Sequence, residues 1–415
     1  MRAFGEAVRD SFGVAVFEGK TPIEEVLPSP DGLHLLVKLS DQSLYRVSLS
    51  DRQALLLVPP GKQPLSAAWS PQSDRLLTWA ANAPTRLWKS DGSLLAALEG
   101  HTEAVRFAAF SPDGQTLVTC SRDNTARLWD GTGRLLATLT GHTGNVYGAA
   151  FSVSGKNVLT RSSDGTARVW NRDGQFLATV GSTYQYLYDA KPCPAEGLFV
   201  TAEADGSVRC WDSGGKPVGL LSRHEGAARE LLFTQKGEVL SRGADKWVRI
   251  GSTQPGAAER SLRHTAAVGG FALSPDESRL LTWADDLTVR LWDLASGQML
   301  QAFTGHRGKI LTAAFSPDQQ HILTSAKDGL AKLWDTSGNI LSEWVINPDH
   351  PLPAMFLPGG QHIAVADATN RAVSSSPFPQ AVFQQMEAAT DLKSPVVEQL
   401  AKRYNVQFLS GTGEQ

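Results

Sequence analysis

The chain has 415 residues, 41% of them hydrophobic, and a formal net charge of −3. This content supports a packed core and excludes a disordered chain. The near-neutral balance provides no long-range field toward nucleic acid or anionic lipid.

In chain order, the first segment is 1–19. It has no unbroken apolar run, so no secretory signal is expected. No eighteen apolar residues run together anywhere, so no membrane span is expected. Residues 12–19 (FGVAVFEG) share a strand-like pattern with LLATLTGH further on. From residue 20 to 375 one pattern recurs. With Trp129 as reference, the equivalent positions are Val47, Trp88, Trp129, Trp170, Trp211, Gly251, Trp292, Trp334 and Val373, in steps of 39 to 42 residues. Nine units of about 41 residues result. Six residues before each reference is an acid or amide: Asp41, Asn82, Asp123, Asp164, Asp205, Asp245, Asp286, Asp328 and Asp367. Four residues earlier, seven units have a hydroxyl: Thr78, Thr119, Thr160, Thr201, Ser241, Thr282 and Thr324. Upstream, a histidine opens five units: His101, His142, His224, His264 and His306. Turn signals such as SPDG at 29 and 111 separate short β-like runs, four to a unit, and helical periodicity is absent. The pattern stops after Val373. Residues 376–415 hold one helix candidate, SPVVEQLAKRYNVQF, with Ser394 as N-cap and Pro395 at the first turn. That helix suits either packing on the repeats or docking to a partner.

These landmarks resemble the WD-repeat family: a Gly-His opening and a Trp-Asp closing, as in His101 with Trp129–Asp130 and His306 with Trp334–Asp335. The resemblance covers roughly residues 12 to 375. It implies an all-β fold, a single β-propeller of four-stranded blades around a central channel. Nine units imply nine blades, or eight with one degenerate end unit outside the ring. The lone strand in 12–19 would complete the last blade and remove a sheet edge. The resemblance also implies a hydrogen-bonded tetrad in each full unit. Four units carry all its members: His101, Thr119, Asp123 and Trp129; His142, Thr160, Asp164 and Trp170; His264, Thr282, Asp286 and Trp292; His306, Thr324, Asp328 and Trp334. The chemistry is sound on its own terms, since a buried indole N–H needs an acceptor and a buried imidazole needs two partners. The fifth unit has Ser182 where histidine is expected, and the sixth has Gly251 for tryptophan with Trp247 displaced.

No GxSxG elbow, HExxH, P-loop or dinucleotide fingerprint occurs. Every His/Asp/hydroxyl set belongs to the repeat, so a structural role is expected rather than a catalytic triad. Cys120, Cys193 and Cys210 form no CxxC pair and no cluster with histidine. No metal and no cofactor is therefore expected, and a reduced, cytoplasmic setting is the simpler reading. His34, His321 and His362 are expected as strand-start residues on separate blades. The basic residue two before each reference, from Arg86 and Arg127 to Lys332 and Arg371, is expected to cover apolar surface with its stem rather than to bind a polyanion.

What remains is recognition. The resemblance places partners on the face that holds the loop opening each unit and the turn carrying the aspartate. Trp79, Arg106, Arg122, Tyr147, Arg161, Tyr184, Arg229, Arg242, Trp283 and Lys327 fall near it, and Trp, Tyr and Arg dominate interface energetics. Trp79 and Trp283 share one repeat position, where they either fill gaps between blades or take part in recognition. Tyr184, Tyr186 and Tyr188 either fill the volume of the missing histidine or form a ligand-facing stripe. The expected function is a non-enzymatic scaffold or adaptor that binds a protein or peptide, either alone or within a larger assembly. Membrane is not expected and nucleic acid is a poor fit. The alternative is a propeller enzyme or small-molecule sensor with an anion site at the channel mouth, built on Arg106, Arg122 and Arg161.

Overall fold

The computed structural model describes residues 13–61, 65–81, 83–181, 186–253, 259–346, 354–356, 363–366 and 371–375. The expected C-terminal helix lies outside these residues, as do Asn82, Ser182, Tyr184, His362 and Asp367. Every element described is a β-strand.

Local chemistry explains the strands and the turns between them. In the third repeat, Ser111 Oγ donates to Asp113 Oδ1 (2.6 Å), and that carboxylate accepts the Gln115 N–H (2.9 Å). Thr116 N–H returns to Ser111 Oγ (2.9 Å), which closes the SPDG turn and starts the next strand. That strand, Thr116–Ser121, is buried at every position. It has sheet neighbours on both sides and packed blades against both faces, so it shows no apolar-polar alternation.

Eight four-stranded antiparallel sheets are each built from contiguous chain, at 23–58, 65–98, 105–139, 146–180, 187–223, 228–263, 268–303 and 310–345. We call them blades one to eight. A further sheet joins Met355–Phe356, Ile363–Ala366 and Arg371–Ser375 to Gly13–Glu18, which pairs with Arg371–Ser375 as the outermost strand. Phe17 and Met355 pack with Ile23, Val26 and Leu35 of blade one, and Phe356 packs with Leu323 and Leu333 of blade eight. The expectation of nine blades is corrected to eight, the alternative that a degenerate end unit allowed. Eight blades are contiguous and complete. The last repeat supplies strands of only two, four and five residues to a sheet that the chain's first strand completes.

The core lies between blades. Trp129 of blade three is buried with Leu77 and Leu87 of blade two, and Trp170 of blade four with Val118 and Leu128 of blade three. Each tryptophan thus fastens its blade to the preceding one, burying roughly 200 Å² of ring. Gly251 stands at this position in blade six, and a Cβ there would lie 2.6 Å from Leu221 O. Backbone and side chain of Leu221 occupy the space a tryptophan would need.

Candidate interaction face

The polar clusters come first, because they fix the loops. In blade three, Trp129 Nε1–H donates to Thr119 Oγ1 (2.9 Å). The threonine hydroxyl lies 2.9 Å from His101 Nε2, and His101 Nδ1 lies 2.7 Å from Asp123 Oδ2. The network assigns a neutral imidazole that donates through Nδ1 and accepts through Nε2. Burial lowers the His101 pKa, against the raising effect of Asp123, which agrees with that state. Asp123 Oδ2 also accepts the Thr102 N–H (3.1 Å), so the cluster pins the loop that enters the blade. Blade four repeats this with His142, Thr160, Asp164 and Trp170, and blade eight with His306, Thr324, Asp328 and Trp334.

Two clusters depart from the expected form. In blade seven, His264 Nε2 lies 2.7 Å from Thr282 Oγ1 and Trp292 donates to the same hydroxyl (2.7 Å). His264 Nδ1 is buried without a partner. Asp286 is instead taken by Arg290 (2.9 Å) and by the Thr265 hydroxyl. The tetrad expected of His264, Thr282, Asp286 and Trp292 is therefore corrected to an open one. In blade five, Trp211 donates to Thr201 (2.9 Å), and the Thr201 hydroxyl donates to Glu203 Oε1 (2.9 Å). Glu203 is fully buried and ion-paired with Arg209. It does the work of the absent imidazole. Of the three tyrosines suggested for that volume, Tyr186 and Tyr188 are exposed (53% and 41%) and do not fill it, while Tyr184 lies outside the described residues. Burial raises the Glu203 pKa, and Thr201 and Arg209 oppose the rise. Blade six keeps His224, Ser241 and Asp245 joined at 2.8–2.9 Å without a tryptophan.

The pinned loops lead into the innermost strands, and there the chain does something the sequence did not announce. In seven of the eight contiguous blades the pairing slips by one residue at the start of the innermost strand. Such a bulge re-aims one side chain. The bulged residues are Glu24, Arg106, Tyr147, Tyr188, Arg229, Gly269 and Leu311, one per blade. A backbone bond ties the aspartate turn to this point, as from Arg122 N–H to Ala104 O (3.0 Å), Ala204 N–H to Tyr186 O and Lys327 N–H to Lys309 O (both 2.9 Å). Turn residues and bulged residues therefore share one face.

The ten residues singled out from sequence divide on this face. Arg106, Arg122, Arg229 and Lys327 are exposed, and among the described residues no hydrogen bond or ion pair holds their side chains. Tyr147 is half-buried. Its hydroxyl donates to Leu187 O (3.0 Å), the Arg161 guanidinium lies 5.7 Å from its ring centre, and burial pushes its pKa up to about 12. Arg161 is ion-paired with buried Asp189, which also meets Lys191 (3.3 Å) and the Leu231 N–H (3.1 Å). This set stitches blades four, five and six. Arg242 spans blades six and seven through Glu230 (2.5 Å) and Val268 O (3.1 Å). Trp79 meets Phe107 of the next blade edge-on, ring centres 6.5 Å apart. Trp283 lies over Gly270, where a Cβ would come within 2.3 Å of its ring. Both tryptophans fill gaps. Tyr186 and Tyr188, in edge contact at 4.9 Å, were seen in sequence only as a strand-period stripe. Asp189 was not singled out at all.

The other recurring groups have partners of their own. Arg127 donates to Gly100 O (2.7 Å), Arg290 to Arg263 O (3.1 Å) and Lys332 to Glu343 (2.6 Å). His34 Nε2 is 2.7 Å from Arg46, and His321 is 3.7 Å from Asp318.

The family model described as "WD domain, G-beta repeat" matches residues 92–130, 133–171, 257–293 and 297–335. The chain carries four WD repeats, and its fold is a β-propeller. Each matched stretch carries the outer strand of one blade and three strands of the next, and the four stretches end at the blades whose cluster residues are all present. Among curated relatives, apoptotic protease-activating factor 1 of Mus musculus is 35% identical over 92 residues, 22% of this chain and 7% of the relative. The Danio rerio protein is 33% identical over 95 residues, 22% of this chain and 8% of the relative. The chain thus spans less than a tenth of the length of these relatives. Two solved propellers share the fold. The computationally designed Ika8 protein aligns with TM-score 0.60 and 24% identity over 77% of this chain and 98% of its own. The C-terminal WD40 domain of Sif2 aligns with TM-score 0.59 and 20% identity over 75% of this chain and 95% of its own.

Proposed function

We propose that this WD-repeat propeller is a non-enzymatic interaction platform that captures a segment of another protein on the face carrying the bulged inner-strand residues. One observation carries the reading: the exposed, unpaired arginines and the tyrosine pair of blades three to six all sit on that face. Rigid strands hold them, and Arg and Tyr supply contact area at low entropic cost. The clusters whose composition imitates a catalytic triad are packed within the blades, and those of blades three, four, six and eight tie histidine to aspartate and hold the loops, which favours a binding role over a chemical one. Protein binding is also what the fold commonly serves. The alternative of an anionic small molecule at the channel mouth needed Arg161 to be free, and Asp189 takes it. Buried, unpaired Cys120, Cys193 and Cys210 suit a reducing, cytoplasmic setting.

The test is affinity purification with mass spectrometry of the full chain against an Arg106→Glu, Arg229→Glu double variant. Partners specific to the unchanged protein should be lost from the variant while its melting temperature stays the same. Recovery of the same partners from both proteins refutes this choice of face.

A further inference from the structure

The innermost strands of four successive blades present, in order, Arg106, Tyr147, Tyr188 and Arg229 at one repeated bulge position. Two aromatic residues are flanked by two cations. Arg122 adds a third exposed cation beside Arg106, and Tyr186 enlarges the aromatic centre against Tyr188.

Electrostatics separates this arc from the rest of the mouth. The acids inside it are spoken for: Asp189 by Arg161 and Lys191, and Glu230 by Arg242. The remaining carboxylates near it, Glu103 and Glu225, are exposed ahead of the inner strands. Across the mouth the composition changes. Blade one puts Glu24 and Glu25 there with Lys38, and blades seven and eight pair Asp285 with Lys309 (2.9 Å). Of the four exposed, unpaired cations named on this face, Arg106, Arg122 and Arg229 therefore lie in blades three to six, and Lys327 lies apart in blade eight.

We propose that this arc binds an extended acidic segment of a partner protein, with carboxylates at its two ends and an apolar or aromatic side chain between them. The carboxylates meet Arg106 with Arg122 at one end and Arg229 at the other, and the central side chain packs on Tyr186 and Tyr188. Guanidinium–carboxylate pairs supply direction and charge selection, and the tyrosines supply apolar area. A nucleic-acid strand fits less well, because its uniform charge would continue from the arc onto Glu24 and Glu25. The inference rests on the choice of face made above and goes beyond it by naming the chemistry of the occupant.

The experiment measures fluorescence anisotropy of the full chain with a labelled octapeptide whose glutamates flank a central phenylalanine. Its glutamine and lysine counterparts and a labelled oligothymidylate serve as the other probes. Two double variants are compared, Arg106→Glu with Arg229→Glu, and Tyr186→Ala with Tyr188→Ala. The acidic peptide should bind best, and each double variant should weaken it by about tenfold or more. Added salt should weaken it further. If the glutamine or lysine peptide binds as tightly, and the tyrosine variant abolishes that binding, the acidic inference fails while the face stands. Oligothymidylate binding as tightly as the acidic peptide overturns the inference in favour of a general polyanion site. If no peptide binds below about 1 mM, or none responds to either variant, both the inference and the choice of face fail.

Discussion

His264 offers the sharpest test of how these blades are held. It is buried, donates or accepts at Nε2 only, and has lost the carboxylate that partners its counterparts. Burial lowers its pKa to about 4 from 6.5, and Arg290 adds to the effect while Asp286 opposes it weakly. The sign follows directly. The imidazole of the unfolded chain takes a proton as pH falls through 6.5, and the folded one resists until about 4. Stability is therefore fully present above the unfolded value and declines between pH 6.5 and about 4. The decline is about 1.4 kcal/mol per pH unit, or about 3 kcal/mol in all. Replacing His264 with Gln removes the titration. At pH 7 that change should cost about 1–2 kcal/mol, since packing on Trp292 is lost. At pH 4.5 the variant should equal or exceed the unchanged protein. Hydrogen exchange of strands Val268–Leu273 and Arg279–Ala284, corrected for intrinsic rates, measures this locally. Blade four is the internal control, because Asp164 supports His142 there and the acid loss should be smaller. An unchanged pH slope in His264→Gln, or an equal loss in blade four, would refute the reasoning.

Three further outcomes follow from the same geometry. Thr160→Val strands both the Trp170 N–H and His142 Nε2, and should cost roughly 2–4 kcal/mol, read as denaturant midpoint at constant slope; a change under about 0.5 kcal/mol would deny that the hydroxyl is shared. Glu203→Ala should destabilise by about 3 kcal/mol, because Arg209 and Thr201 lose a buried partner, whereas Glu203→Gln keeps an acceptor for Thr201 and should cost distinctly less; equal thermal shifts for the two variants would argue that Glu203 does not replace the histidine. Gly206→Ala should be far worse than Gly197→Ala. Both glycines have positive φ (84° and 77°), but a Cβ at Gly206 would strike His224 O at 2.2 Å while one at Gly197 meets only Ser213 Oγ at 4.0 Å. Comparable melting temperatures would show that the backbone there yields.

Much of the architecture could be read from one period. Trp129 and Asp123 keep their spacing because each blade must present its tryptophan to the preceding blade and its acid to its own loop, and those demands are local. The role of FGVAVFEG could be read for the same reason, since an outer strand without a blade needs one. The open cluster in blade seven could not be read, because His264, Thr282, Asp286 and Trp292 match their counterparts by type and offset. What differs is which partner Asp286 takes, and Arg290 has equivalents in Arg127 and Arg168 that turn elsewhere. Glu203 did leave a trace, as a carboxylate ending the otherwise apolar strand LFVTAE in the repeat without a histidine. The bulges left none, since register belongs to a pair of strands and not to either alone. For that reason Tyr147 and Arg161 could be placed near the face by sequence, while their commitment to Leu187 and Asp189 across two blades could not.

The pairing of Glu18 with Arg371 joins positions about 350 residues apart, whereas a hairpin within a blade closes over about ten. By loop-closure entropy alone the former contact costs about 3 kcal/mol more to form in the unfolded chain. Gly13–Glu18 leaves the ribosome before all eight blades yet is among the last strands to find its partner, and every blade between them can assemble first. Until then blade one exposes Ile23, Val26 and Leu35 on its unprotected flank, a transient sticky surface on the nascent protein.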